Sequence, residues 1–181
     1  MIRIIGGKYK RLKIDIPDSK DVRPTQDRVR EAVFSVLHTR TVGAVCLDLF
    51  AGSGAYGFEA ISRGANFVDF VDKRNLCVKC ISSTANRIGC SDDVKIYKLD
   101  YSSAVDLFIS RNKKYDIIFL DPPYAMDVNE KLAKLFLSKN LLAENGILVV
   151  EQEKELPDIE GYSLKRYKYS YKRVGIYRRG K

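Results

Sequence analysis

The sequence predicts an α/β protein built on a doubly wound, mostly parallel sheet with an antiparallel edge. Three observations carry this. Between residues 45 and 151, short apolar runs rich in β-branched and aromatic residues alternate with segments of helical length. The first run passes into a helix through Ala51-Gly52-Ser53-Gly54-Ala55-Tyr56-Gly57, a glycine-rich turn of the kind that lets a ligand approach the backbone. The last two strand-like segments, 162 to 169 and 172 to 177, leave no room for a helix between them, so they should pair antiparallel through a turn at Ser170-Tyr171.

The elements follow in order. Ile2 to Ile5, the Gly6-Gly7 pair and the alternating residues 10 to 16 read as a hairpin with a two-glycine turn. After Pro17-Asp18 and Arg23-Pro24, a helix is expected with Thr25 as its N-cap. Val29, Val33, Val36 and Leu37 form its apolar face, and Arg28, Arg30 and Glu31 its charged, solvated face. The strand at 45 to 50 is followed by a helix carrying Phe58, Ala60 and Ile61. The strand at 67 to 71 ends at Asp72, and a helix from about 75 to 88 ends at Gly89. A strand at 94 to 99 ends at Asp100, and a helix spans 102 to 112. The apolar strand at 115 to 120 is stopped by Asp121-Pro122-Pro123-Tyr124. A helix near 129 to 138 comes next, and Gly146 turns the chain into a strand at 147 to 151.

Composition narrows the function classes. A chain of 181 residues, 45% apolar, has the size of one domain with a small appendage. No run approaches the roughly 18 apolar residues of a membrane span. Cys77-Val78-Lys79-Cys80 has C-x-x-C spacing, but it falls within a helix, no second pair follows and the single histidine is His38. Buried structural thiols are the better account, and neither metal nor disulfide is expected. Reduced thiols and the lack of an apolar amino-terminal segment point to the cytoplasm.

The net charge of +9 is unevenly spread: residues 1 to 40 carry ten Lys/Arg against five Asp/Glu, and residues 160 to 181 carry eight against one. Two basic ends flank a mildly acidic body, and aromatics interleave with the cations at Lys8-Tyr9-Lys10-Arg11 and Lys165-Arg166-Tyr167-Lys168-Tyr169. A nucleic acid gripped by the ends is the natural partner.

Gly52, Gly54 and Gly57 match G-x-G-x-x-G, and Asp72 lies twenty residues after Gly52, where a carboxylate would meet the ribose hydroxyls of an adenosine moiety. A dinucleotide and S-adenosylmethionine both fit that spacing. Asp48, in the strand before the glycines, disfavours a pyrophosphate by repulsion and suits a cation, and Asp100 adds a third acid positioned for the adenine amine. Asp121-Pro122-Pro123-Tyr124 offers a carboxylate, a carbonyl before each proline and a ring, the parts needed to hold an exocyclic amine of a nucleobase.

The run Leu47 to Gly54 together with Asp121-Pro122-Pro123-Tyr124 resembles the class I S-adenosylmethionine-dependent methyltransferases that act on exocyclic amines. With Arg3-Ile4-Ile5-Gly6-Gly7-Lys8 and Arg23-Pro24-Thr25-Gln26-Asp27-Arg28-Val29-Arg30-Glu31 added, the chain resembles the RsmD family over nearly its whole length. That resemblance implies a seven-stranded methyltransferase sheet over residues 23 to 181, preceded by a basic hairpin extension over residues 1 to 22. It implies methylation of a guanine N2 in 16S ribosomal RNA of the bacterial small subunit or its assembly intermediate, by a monomer that uses S-adenosylmethionine and no metal. The cofactor would lie on Asp48, Phe50, Gly52, Gly54, Asp72 and Asp100. Asp121, Pro122, Pro123 and Tyr124 would form the catalytic motif, with Asp121 and the Pro122 carbonyl accepting the amine hydrogens and Tyr124 stacking on the base. Lys8, Lys10, Arg11, Arg28 and Arg30 would hold RNA phosphates. The chain departs from the family at the ribose position, commonly glutamate there and Asp72 here, which shortens the reach of the acceptor. An amino-methyltransferase of DNA adenine or cytosine, or of protein glutamine, shares the catalytic motif; a non-catalytic RNA-binding module and an NAD-dependent oxidoreductase are the rivals of other kinds.

Overall fold

Apolar side chains in the strands fall alternately on two sides of one sheet. Ile117 and Phe119 join one core cluster and Ile118 and Leu120 the other, so the uninterrupted run 117 to 120 is apolar because both of its faces are covered. The computed structural model describes residues 2–17, 25–123 and 126–180. Among them, β3 (Val45–Asp48), β4 (Phe67–Val71), β5 (Val94–Tyr97), β6 (Tyr115–Leu120), β7 (Leu142–Gln152), β8 (Tyr162–Tyr169) and β9 (Lys172–Arg179) form a seven-stranded sheet in the order β5-β4-β3-β6-β7-β9-β8. The first five of these are parallel, and β9 enters antiparallel between β7 and β8. This is the expected doubly wound sheet with an antiparallel edge, and the amino-terminal β1 (Ile2–Arg3) and β2 (Lys13–Ile14) pair as a separate two-stranded ribbon.

The helices cover both faces. Residues of α1 (Thr25–Leu37), α2 (Ala55–Ser62) and α3 (Asn75–Ile88) pack on one side, where Val29, Val33, Phe34, Phe58, Ile61 and Ile81 are buried. Residues of α4 (Tyr101–Ser110) and α5 (Asn129–Ser138) pack on the other, around Phe108 and Phe136. Helix α3 ends at Gly89 as expected. The strand order reverses between β3 and β6, which lie side by side with Asp48 level with Phe119. Ligands bind in open α/β sheets at such a switch point, and here the glycine turn after β3 and the Asp121-Pro122-Pro123 run after β6 leave from it together.

Three expectations need correction. Gly6-Gly7 is not a two-residue hairpin turn: the loop is wider, closed by Ile4 N–H to the Leu12 carbonyl (3.0 Å) and Arg11 N–H to the Ile4 carbonyl (2.8 Å). The glycines serve a close approach to α2. Lys8 N–H donates to the Ser62 carbonyl at 2.7 Å, and a β-carbon on Gly7, whose φ is +77°, would lie 1.8 Å from that oxygen. Second, β7 begins five residues before Ile147; pairing shifts from Tyr115 with Leu142 to Ile117 with Ile147, and this bulge contains Asn145 (φ +59°) and Gly146. Third, Arg30 is not on the solvated face of α1. It is 2% exposed, donates to the Arg3 carbonyl and to Asp27 (3.2 Å), and lies 3.6 Å from Glu59.

Glu59, fully buried on α2, explains that burial. Its two carboxylate oxygens accept Ile5 N–H (2.8 Å) and Gly6 N–H (2.9 Å), and Arg63 pairs with it at 2.7 Å. An anion shared between two guanidiniums and two amides is well compensated. The ribbon is thereby fastened to the sheet body, and Ile2, Ile4 and Ile14 enter the same core cluster as the helices. Asp15 adds a second fastening on α3, accepting from Ser83 (2.7 Å) and Arg87 (2.8 Å).

Candidate active site

The turn after β3 is shaped by carboxylates. Gly54 sits at φ +79° as the residue preceding α2, and a β-carbon there would come within 2.9 Å of the Phe58 ring. Asp72, at the end of β4, accepts Gly52 N–H with Oδ2 (2.9 Å) and Arg74 N–H with Oδ1 (2.8 Å), while the Arg74 guanidinium lies 3.3 Å away. Asp48 accepts Gly57 N–H at 3.0 Å. Amides that would cradle a pyrophosphate at the start of α2 are thus already bound by side-chain carboxylates, which weighs against a dinucleotide and for a cationic nucleoside.

Burial pushes the Asp48 carboxyl up to about 7, the neighbouring Asp72 charge acting in the same direction and the Gly57 amide against it. A cation arriving beside it would restore its charge. Asp100 differs: its oxygens cap α4, accepting from the amides of Ser102 (3.0 Å) and Ser103 (3.1 Å) and from both hydroxyls. Those hydroxyls hold it well below the usual carboxylate range, so it stays anionic at the cleft edge. The Phe50 and Tyr101 rings lie 5.3 Å apart on the same side.

A cavity of about 720 Å³ runs along this edge. Asp48, Phe50, Gly52, Asp72, Asp100, Asp121, Pro122 and Pro123 all line it, so the structure brings the two expected groups of residues together. Gly54 supports the turn without lining the cleft. Tyr124 lies outside the described residues, as do Arg23 and Pro24 and the Thr25 side chain expected to cap α1. Lys8, Lys10, Arg11 and Arg28 are exposed; Arg30 is buried and reaches the cleft wall instead.

Sequence reasoning missed the groups on the β7 side. Leu120 pairs with Val150, so Asp121 and Glu151 emerge side by side. Glu151 accepts the Tyr56 hydroxyl at 2.7 Å and forms an ion pair with Lys172, and all three line the cleft. Burial, and then the Glu151 charge, push the Asp121 carboxyl well above the ordinary range, against the pull of Lys172. The only signal for these residues was a charged group at the end of each apolar strand. Among the described residues, no cluster of His, Cys, Asp and Glu is arranged to hold a metal, and no helix is long and apolar enough to cross a membrane.

A glycine turn and an acid-proline-proline run meeting at the switch point of this seven-stranded sheet define a methyltransferase of the Rossmann-like class. Solved structures agree: one from Escherichia coli superposes with a TM-score of 0.87 at 31% identity, covering 98% of this chain and 97% of that one. An RNA methyltransferase from Salinibacter ruber, solved with S-adenosyl-L-homocysteine, shares the fold at 18% identity (TM-score 0.66, covering 88% of this chain and 95% of that one). The chain belongs to the RsmD family, whose model, described as conserved hypothetical protein 95, matches residues 2–178. The ribosomal RNA small subunit methyltransferase D of Escherichia coli K12 is 37% identical over 172 residues, 92% of this chain and 84% of that protein.

Proposed function

We propose that this protein transfers a methyl group from S-adenosylmethionine to the exocyclic N2 amine of a guanine in 16S ribosomal RNA of the bacterial small subunit. The observation that carries the reading is the shared cleft: Asp121 and Pro122 line the same cavity as Asp48, Gly52 and Asp72. The name of the 37% identical Escherichia coli relative supports the ribosomal substrate.

Asp48, Phe50, Asp72 and Asp100, with the Gly52 turn, would hold the methyl donor, which supplies an electrophilic methyl group on a cationic sulfur. Asp72 accepts ribose hydroxyls while keeping the turn in shape, and Asp48 and Asp100 give the cleft its negative lining. The guanine amine is a poor nucleophile because its lone pair is delocalised into the ring. Asp121 and the Pro122 carbonyl accept its two hydrogens, which fixes the amine and turns the lone pair toward the donor side. Asp121, its carboxyl raised by burial, can then take the proton released on methylation. Tyr124 stacks on the extruded base, worth about 1–3 kcal/mol, against the few kcal/mol that unstacking costs. Lys8, Lys10, Arg11 and Arg28 contact phosphates; burial removes Arg30 from that set.

The test is tritiated methyl transfer to small subunits from a strain lacking the enzyme, followed by nucleoside analysis. N2-methylguanosine is expected. Methyladenosine or methylcytidine would replace the guanine assignment, and transfer to protein or DNA alone would remove ribosomal RNA as the substrate.

A further inference from the structure

The cleft contains a buried cation outside the motif just described. Lys172 is the first residue of β9, which is inserted beside β7 with Glu151 opposite Val174. Lys172 and Glu151 are 3% and 5% exposed, and they form an ion pair. The Tyr56 hydroxyl, held by stacking of its ring on Phe119 at 5.1 Å, binds the other Glu151 oxygen at 2.7 Å. The carboxylate is therefore fixed from two sides, next to Asp121 and on the same cavity.

Cohesion alone does not call for such a group, because an apolar pair of similar volume stabilises a core as well or better. The arrangement instead brings three acids, Asp48 from β3, Asp121 after β6 and Glu151 from β7, to one cleft with Lys172 among them. We propose that Lys172, clamped through Glu151 and Tyr56, is a positioning residue that draws the Asp121 carboxyl back toward its ionised form, the form that can accept the amine hydrogen, against burial and its acidic neighbours. The groups facing Asp121 are Glu151 and Asp48, which oppose its ionisation, and Lys172, which favours it. Among the described residues, Tyr56 and Arg30 line the same cavity. The part played in methyl transfer rests on the function proposed above; the electrostatic relationship between Lys172 and Asp121 does not.

The experiment is a carbon-13 NMR titration of protein labelled at aspartate carboxyls, with the Asp121 signal assigned by its loss in Asp121→Asn. Lys172→Met should raise the Asp121 midpoint by about one pH unit or more, and Glu151→Gln should lower it by a similar amount. The double variant should fall between them, and Lys172→Arg should leave it near the wild-type value. The acid limb of the kcat profile should move the same way in each. If Lys172→Met does not fold, Lys172→Gln, which also removes the charge but keeps a polar end, makes the same comparison. An Asp121 midpoint that stays put or falls when the Lys172 charge is removed overturns the inference. If the wild-type protein methylates no ribosomal RNA, the titration alone still decides it.

Discussion

Asp72 Oδ2 accepts the amide of Gly52 at 2.9 Å, tying the end of one strand to the turn that follows its neighbour. The same carboxylate thus both lines the cleft and braces the glycine turn. Asp72→Ala should weaken binding of S-adenosylhomocysteine by roughly 10- to 100-fold, the range for losing a charged hydrogen bond. Asp72→Asn, which keeps an acceptor for Gly52, should lose less. Calorimetric titration separates the two, and equal losses would mean that the charge, not the brace, matters.

Gly7 offers a test of the ribbon's docking. With φ at +77° and the Ser62 carbonyl where a β-carbon would go, Gly7→Ala must detach the ribbon locally. A loss of about 2 kcal/mol or more is expected in urea denaturation, with RNA affinity reduced and S-adenosylhomocysteine binding retained. Undiminished RNA affinity would show that Lys8, Lys10 and Arg11 do not act from that docked position.

Glu59→Ala leaves Arg30 without its one fully buried counter-ion, Asp27 being half-exposed, and frees two ribbon amides. Removing one partner of a buried pair costs about 3–5 kcal/mol, so this single change should rank among the most destabilising in the chain. A melting temperature close to wild type would argue that water or Asp27 takes over.

The raised Asp48 carboxyl gives a pH dependence of definite sign. Folded, it titrates near 7; unfolded, it should titrate near 4. Between those values the folded chain binds more protons, so the Asp48 contribution lowers stability as pH rises from about 4 to about 7 and is constant above. The difference in unfolding free energy between wild type and Asp48→Asn, followed across that window, should change in this direction, by on the order of a few kcal/mol. S-adenosylmethionine, a cation, should release a proton on binding near pH 6 to the wild type, and none to Asp48→Asn.

RNA affinity should fall steeply with salt, and replacing Lys8, Lys10 or Arg11 by alanine should each reduce the slope by about one. Arg30→Ala should leave the slope unchanged and lower stability instead. Filter binding over a range of potassium chloride concentrations makes the comparison.

Much of this was legible in the sequence because it is local. An apolar run closed by Asp121-Pro122-Pro123, a glycine turn twenty residues before an aspartate and a helix closed by Gly89 each state their structure within a few residues. The parts that were not legible depend on partners far along the chain. Helical periodicity assigned Arg30 to the polar face of α1, yet its fate was decided by Glu59, which neutralises it in the interior. Gly6-Gly7 reads as a turn until α2 is seen against it. Nothing near Lys172 announces that it will cross to a strand ending twenty residues earlier, pair with Glu151 and line the same cleft as Asp121.

Strand β9 is slotted between two strands that precede it in the chain. Until it emerges from the ribosome, β7 has a bare edge and the acids at its tip lack their cation. Copies terminated before β9 would expose an unpaired apolar strand, a ready-made template for aggregation.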